Sequence, residues 1–160
     1  MNQVKFFLFG VVSIVFFACQ SDKNQGMAEL DLTRYGAPVS ILAPDSAKVT
    51  TQDYGISKDI SVQAGPDYYV MVLASEANTM EVSKVKADQL QNVKEGTFFS
   101  QIVEEHDQGF IYENKLDSMN IFYGFRYIKI QGDKEFVFQE GLSGGFDLEA
   151  VQRMYQAVQQ

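Results

Sequence analysis

The chain holds one cysteine, Cys19, and one histidine, His106, so thiol and imidazole chemistry each have a single address. A lone cysteine is most often a small buried hydrophobe, and only its neighbours give it another meaning. Cys19 follows an apolar run from Phe6 to Phe17, with Lys5 ahead of the run and the polar stretch Gln20 to Gly26 behind it. His106 stands in Glu104-Glu105-His106-Asp107, a cluster of oxygen and nitrogen donors that suggests a metal site. On a strand, Glu104 and His106 share one face while Glu105 and Asp107 share the other. A catalytic zinc takes three protein ligands, so distant segments would have to complete the set. The plainer expectation is an exposed, charged strand end entering a turn, with an all-oxygen site for a hard cation as the alternative.

Other constellations carry less. The nucleophile elbow G-x-S-x-G is absent, as are the phosphate loops G-x-x-x-x-G-K-[ST] and G-x-G-x-x-G, so no cofactor is indicated. Ser143-Gly144-Gly145 is glycine-rich, but the helix expected after it opens on Asp147, and a carboxylate there opposes phosphate binding. Glu113 and Asp117 are a candidate pair across a cleft, against the plainer reading of solvated surface acids. The aromatic stretch Phe122-Tyr123-Gly124-Phe125-Arg126-Tyr127 is the most informative part of the domain. Gly124 leaves a gap beside Phe122 and Arg126, where an aromatic face and a cation could hold a ligand group. The competing expectation is that Gly124 relieves crowding where a helix crosses the sheet. Tyr123, Phe125 and Tyr127 point to the opposite face and are expected to be core.

The N-terminal segment has its own logic. The run from Phe6 to Phe17 covers 12 residues, about 18 Å as a helix, whereas a membrane span needs about 20 apolar residues. It is too short to span and suits the apolar region of a signal peptide. Phe16 at position −3 is poor for a general A-x-A cleavage site, and Ala18 supplies the small residue before Cys19. The sequence Phe16-Phe17-Ala18-Cys19 resembles a relaxed lipobox of the kind found in Bacteroidetes-like bacterial lipoproteins. That resemblance implies cleavage before Cys19, acylation of its thiol and a membrane anchor. Two or more acyl chains hold a protein where one does not. By the family's sorting rule, Gln20 in place of Asp leans toward the outer membrane. The layout expected is a signal peptide over 1–18, a lipidated tether over 19–28 and one α+β domain over 29–160.

Composition narrows the partners. Removing residues 1–18 leaves 142 residues, enough for one domain. It takes away one lysine and no acid, so the net charge moves from −8 to −9. An acidic surface with no basic stripe repels phosphate backbones, which argues against nucleic acid. It also repels anionic headgroups, so lipid rather than surface charge must hold the protein at a membrane. With Cys19 modified there is no disulfide, which a domain of this size can do without.

The elements that position these residues follow from periodicity. Strands are expected over 37–43, 58–64 and 68–75, the last so continuously apolar that both of its faces should be covered. Ile60 and Val62 are expected inward, with Asp59, Ser61 and Gln63 outward. Asn78 to Glu81 has capping-box spacing, with Asn78 as N-cap of a helix that buries Val82, Val85, Leu90 and Val93 and closes at Gly96. Strands over 98–105, 110–115, 121–130 and 135–139 follow, with a tight turn at Gly132-Asp133. Asp147 caps a last helix whose stripe is Leu148, Val151, Met154, Tyr155 and Val158, with Phe146 and Val151 as a hydrophobic staple. The fold class expected is α+β, an antiparallel sheet with two main helices packed on it, on one face or on both. This element order, with Pro44 after an early strand and a helix after a long hairpin, resembles the Mog1/PsbP-like α/β/α sandwich over about residues 36–159. The resemblance implies a binding or accessory module more often than an enzyme.

Together these readings favour a membrane-anchored envelope lipoprotein whose soluble domain is a non-enzymatic module for a small ligand or an envelope protein partner. The alternatives are a hydrolase or other enzyme with a scattered carboxylate or hydroxyl site, and a structural assembly factor.

Overall fold

The computed structural model describes residues 26–142 and 145–160. Their elements run β1 (Met27–Asp31), a single 3-10 turn (Thr33–Tyr35), β2 (Ser40–Pro44), β3 (Lys48–Asp53), β4 (Ser57–Ala64) and β5 (Tyr68–Glu76). Then come α1 (Val82–Lys94), β6 (Phe99–His106), β7 (Gly109–Lys115), β8 (Ile121–Gln131), β9 (Lys134–Glu140) and α2 (Leu148–Ala157). Seven strands form one antiparallel sheet in the order β3-β4-β5-β9-β8-β7-β6, and β1 and β2 pair as a separate hairpin. Among the described residues the fold is α+β with two helices, as the periodicity predicts.

Strict alternation places a helix on each face. On β9, Phe136 and Phe138 enter the main core while Val137 turns to the other side. On β8, Phe125 and Tyr127 join that main core, and Ile128 joins Val137. The face holding Phe125 and Phe138 is covered by α2, through Val151, Met154 and Tyr155, and by the β1–β2 hairpin, through Leu32, Val39 and Ile41. The opposite face is covered by α1: Val85 packs with Ile128 and Val137, and Val93 with Phe110 and Tyr112. Strand β5 is indeed covered twice, with Val70 and Val72 buried on one side and Met71 on the other. On β4 only Ile60 and Val62 are fully buried, as the period-two pattern requires.

Four expectations need correction. The expected first strand over 37–43 is in fact β2 over Ser40–Pro44. Ala37, Pro38 and Val39 instead wrap Leu32: Leu32 N donates to Val39 O and Ala37 N to Leu32 O. Proline, with no N–H, suits that loop better than a ladder. Strand β1 was not expected, and it extends the fold back to Met27, inside the segment expected as tether. Strand β3 also escaped, because this edge strand turns only Val49 toward the core and so shows no apolar alternation. Finally, Asn78 caps nothing. The N-cap of α1 is Glu81, and the Thr79 hydroxyl accepts from Glu81 N. The helix ends at Lys94, just before Gly96. The other helix start is as expected: the Asp147 carboxylate accepts from Ala150 N at 2.8 Å, and Phe146 and Val151 are both buried in the main core.

Antiparallel pairing gives the sheet two distinct ends. At one, which we call the entry end, lie Met27 opposite Pro44, the start of β3, the end of β9, and the β7–β8 loop. At the other, the cleft end, lie the β6–β7 turn, the β8–β9 turn and the β3–β4 turn. Helix α1 runs from the cleft end to the entry end, and α2 runs the other way.

Candidate functional site

Cys19, the residue with the clearest chemistry in the sequence, lies outside the described residues, as do Ser143 and Gly144. The other candidates fall at the two ends of the sheet.

Toward the entry end, the space vacated by Gly124 is filled. A Cβ there would meet the Tyr112 ring at 2.5 Å and a Glu140 carboxylate oxygen at 2.6 Å. Tyr112 is the direct cross-strand neighbour of Gly124 on β7, and its ring leans into the gap. The last β8–β9 register pair is Arg126 with Gln139. One step beyond it the Glu140 side chain replaces the ladder: its carboxylate accepts from Phe125 N at 2.7 Å and from the Tyr112 hydroxyl at 2.7 Å. Arg126 Nη1 completes the set, 3.2 Å from Glu140 Oε2, and also donates to Phe125 O at 2.7 Å. The guanidinium lies 5.5 Å from the Tyr112 ring centroid. Both charged side chains are only 15–17% exposed. Burial, reinforced by the Glu140 charge, pushes the Tyr112 phenol well above its ordinary range, so it stays a proton donor. Phe122, Gly124 and Arg126 therefore do not frame an open ligand gap. Gly124 relieves crowding, though for Tyr112 and Glu140 rather than for a crossing helix.

At the cleft end a depression of about 770 Å³ opens between the β6–β7 turn and α2. Its lining is polar: Glu104, His106, Gln108, Tyr127, Gln152 and Tyr155 are among its walls. The strand reading holds for Glu104, Glu105 and His106, whereas Asp107 lies beyond β6 in the turn and lines the depression with Glu104 and His106. Glu104 reaches α2, accepting from Gln152 Nε2, and the His106 ring stacks on Tyr155 of α2 with centroids 5.3 Å apart. Glu105 points to the other face and pairs with Lys86 of α1 at 3.0 Å. Lys86 also donates to His106 O at 2.6 Å, which fixes the strand end. The His106 ring lies 3.4 Å from Glu104. Tyr127 donates to Gln108 Oε1 at 2.9 Å. Burial, with Tyr127 and Glu104 nearby, holds the Tyr155 phenol well above its usual range. Among the described residues, no three His, Cys, Asp or Glu side chains converge as a metal site.

This lining is amide, phenol and carboxylate. It offers hydrogen bonds and an aromatic edge, and its acids disfavour an anion. It suits a neutral or cationic polar group. Glu113 and Asp117 do not act as a pair. Glu113 meets Tyr123 and Gln101. Asp117 accepts from Asn120 Nδ2, and from Met119 N and Asn120 N, bonds that hold its carboxyl below the usual range.

Sequence reasoning missed Tyr112, Glu140, Gln152 and Tyr155 as site residues. The only signal for Tyr112 and Glu140 was Gly124 itself, since a strand glycine marks a close approach. The glutamines of the C-terminal segment carry no pattern, because Gln152 and Gln156 on α2 and Gln159 just beyond it read as ordinary polar surface. Comparisons with protein-family models, with curated proteins and with solved structures gave no match.

Proposed function

We propose that the chain is a bacterial envelope lipoprotein, anchored through an acylated Cys19, whose folded domain is a non-enzymatic binding or accessory module. The observation that carries this reading is the order Lys5, apolar run, Ala18-Cys19, polar spacer, followed within seven residues of Cys19 by a folded domain that opens at Gly26. Among the described residues no helix is long and apolar enough to cross a membrane, so membrane attachment in this reading falls to lipid. Gln20 favours the outer membrane. The ligand surface is the polar cleft beside His106 and Tyr155, in preference to the closed Gly124 network, and its occupant is a small polar molecule or the side chains of an envelope partner. The finer fold reading, a Mog1/PsbP-like sandwich, is supported by the helix on each sheet face and the C-terminal helix after the β8–β9 hairpin.

The test is metabolic labelling with a clickable fatty acid in a bacterial host, comparing the natural chain with Cys19→Ser. The natural chain is expected to take label and sediment with membranes; the variant takes none and is recovered unprocessed at Met1. Equal labelling and equal fractionation of the two proteins would refute the proposal.

A further inference from the structure

We infer that the entry end of the sheet rests on the lipid surface, with Phe98, Leu116, Met119 and Ile121 dipping into its interfacial layer. This rests on the lipid-anchor reading above and adds an orientation to it.

The four side chains lie together. Lys115 N donates to Phe98 O, Lys115 pairs with Ile121, and Leu116 N donates to Asn120 O, so β6, β7 and β8 bring them to one rim. Met119 is 89% exposed, Leu116 57%, Phe98 46% and Ile121 42%. The display is built rather than loose. Asp117 accepts from Met119 N at 2.8 Å, from Asn120 N at 2.9 Å and from Asn120 Nδ2 at 2.7 Å. That turn holds Met119 outward as a fixed tip. Leu142 is exposed at the same end. Such a rim of large apolar groups marks an interaction surface.

The position of the chain entry identifies the occupant. Met27 lies opposite Pro44, just before β3, at this same end of the sheet. From Cys19 to Gly26 the backbone reaches at most about 25 Å. The rim on β8 lies four strand spacings from β3, about 19 Å. An anchor at Cys19 can therefore hold the rim against the same leaflet. The cleft, at the opposite end, then faces away from the lipid. The entry end carries Lys48, Lys94 and Lys115 against a larger set of acids that includes Asp45, Asp67, Glu95, Asp117 and Asp147. Charge thus gives no attraction, so the contact rests on the apolar groups and high salt should not release it. Apolar groups at such a surface sit about 5–10 Å into the headgroup and acyl boundary.

The experiment uses the full chain, processed in a bacterial host and reconstituted into phosphatidylethanolamine–phosphatidylglycerol vesicles. Met119→Cys and, at the cleft end, Ile56→Cys (natural Ile56 is 87% exposed) each carry a polarity-sensitive fluorophore. The Met119 probe is expected to shift to the blue and to lose emission to a lipid-borne quencher, in low and high salt alike, while the Ile56 probe stays in water. A vesicle-bound protein whose Met119 probe stays in water overturns the orientation and leaves the anchor standing. A blue shift that grows with protein concentration without vesicles means a second copy covers the rim, and also overturns it. A protein that remains in the supernatant, with Cys19 itself taking the fluorophore, defeats both readings.

Discussion

The two ends of the sheet arrange similar polar groups in different ways. At the entry end, exposed apolar side chains crown a polar network that is closed on itself: Glu140 takes donors from Tyr112, Phe125 and Arg126. At the cleft end, the polar groups line an open depression with Phe125 and Tyr127 beneath it against the Tyr155 ring, while Tyr54, Ile56 and Met80 are exposed outside its lining. Both ends hold a glutamate, an aromatic hydroxyl and a cationic or titratable nitrogen. What separates them is burial. A carboxylate at 17% exposure with its acceptor capacity filled is structural, whereas Glu104, at 34%, edges an open depression.

The sharpest way to break this comparison is to remove one glutamate at each end. Glu140→Ala leaves Arg126 without its counter-charge and the Phe125 N–H without a partner, and is expected to cost about 3 kcal/mol. Glu104→Ala, on the cleft rim, is expected to cost under about 1 kcal/mol. Paired urea titrations measure both, and equal losses would erase the distinction drawn between the two ends. Next in size is Gly109→Ala, at the floor of the cleft end. Its new Cβ would stand 2.2 Å from Arg126 O, a backbone atom that cannot step aside. A loss of about 1–3 kcal/mol is expected, and an unchanged unfolding midpoint would show that the β7–β8 spacing is softer than described.

The helix starts give a smaller contrast. Asp147→Ala removes a cap bond at the entry-end start of α2 and should cost about 1 kcal/mol. Asn78→Ala, near the cleft-end start of α1, should change stability negligibly, because Asn78 does not cap; a loss equal to that of Asp147→Ala would restore the capping box. The smallest effect is electrostatic. Burial raises the Glu135 carboxyl above its usual range, and Asp88 adds to the shift. A raised acid binds its proton more tightly in the folded state, so its contribution is fully present below the unfolded value and is lost as pH rises through the folded one. Glu135→Gln should therefore raise the melting temperature slightly at pH 7 and not at pH 3. The same gain at both values would contradict the assignment to burial.

Much of the fold was legible because alternation reports burial directly. Phe136, Val137 and Phe138 announce two covered faces, and the stripe from Leu148 to Val158 announces a helix lying on one of them. What escaped was structure that buries little of its own strand. Strand β3 is exposed along most of its length, and β1 carries only a few apolar residues to the hairpin. The candidate site was less legible still. Gly124 signalled that something approaches closely, but not whether it was a ligand or the protein's own Tyr112 and Glu140, which converge from strands 12 and 16 positions away in sequence. The cleft depends on the His106 turn meeting α2, a contact spanning most of the domain's second half that no local pattern encodes.

The central claim is that lipid on one cysteine ties this domain to a membrane. Intact-mass spectrometry of the full-length gene product, extracted from bacterial membranes, tests it most directly. The predicted result is a chain beginning at Cys19 and carrying the added mass of a diacylglyceryl group, with or without a third acyl chain. A chain that begins at Met1, or that begins elsewhere with an unmodified Cys19, would contradict it.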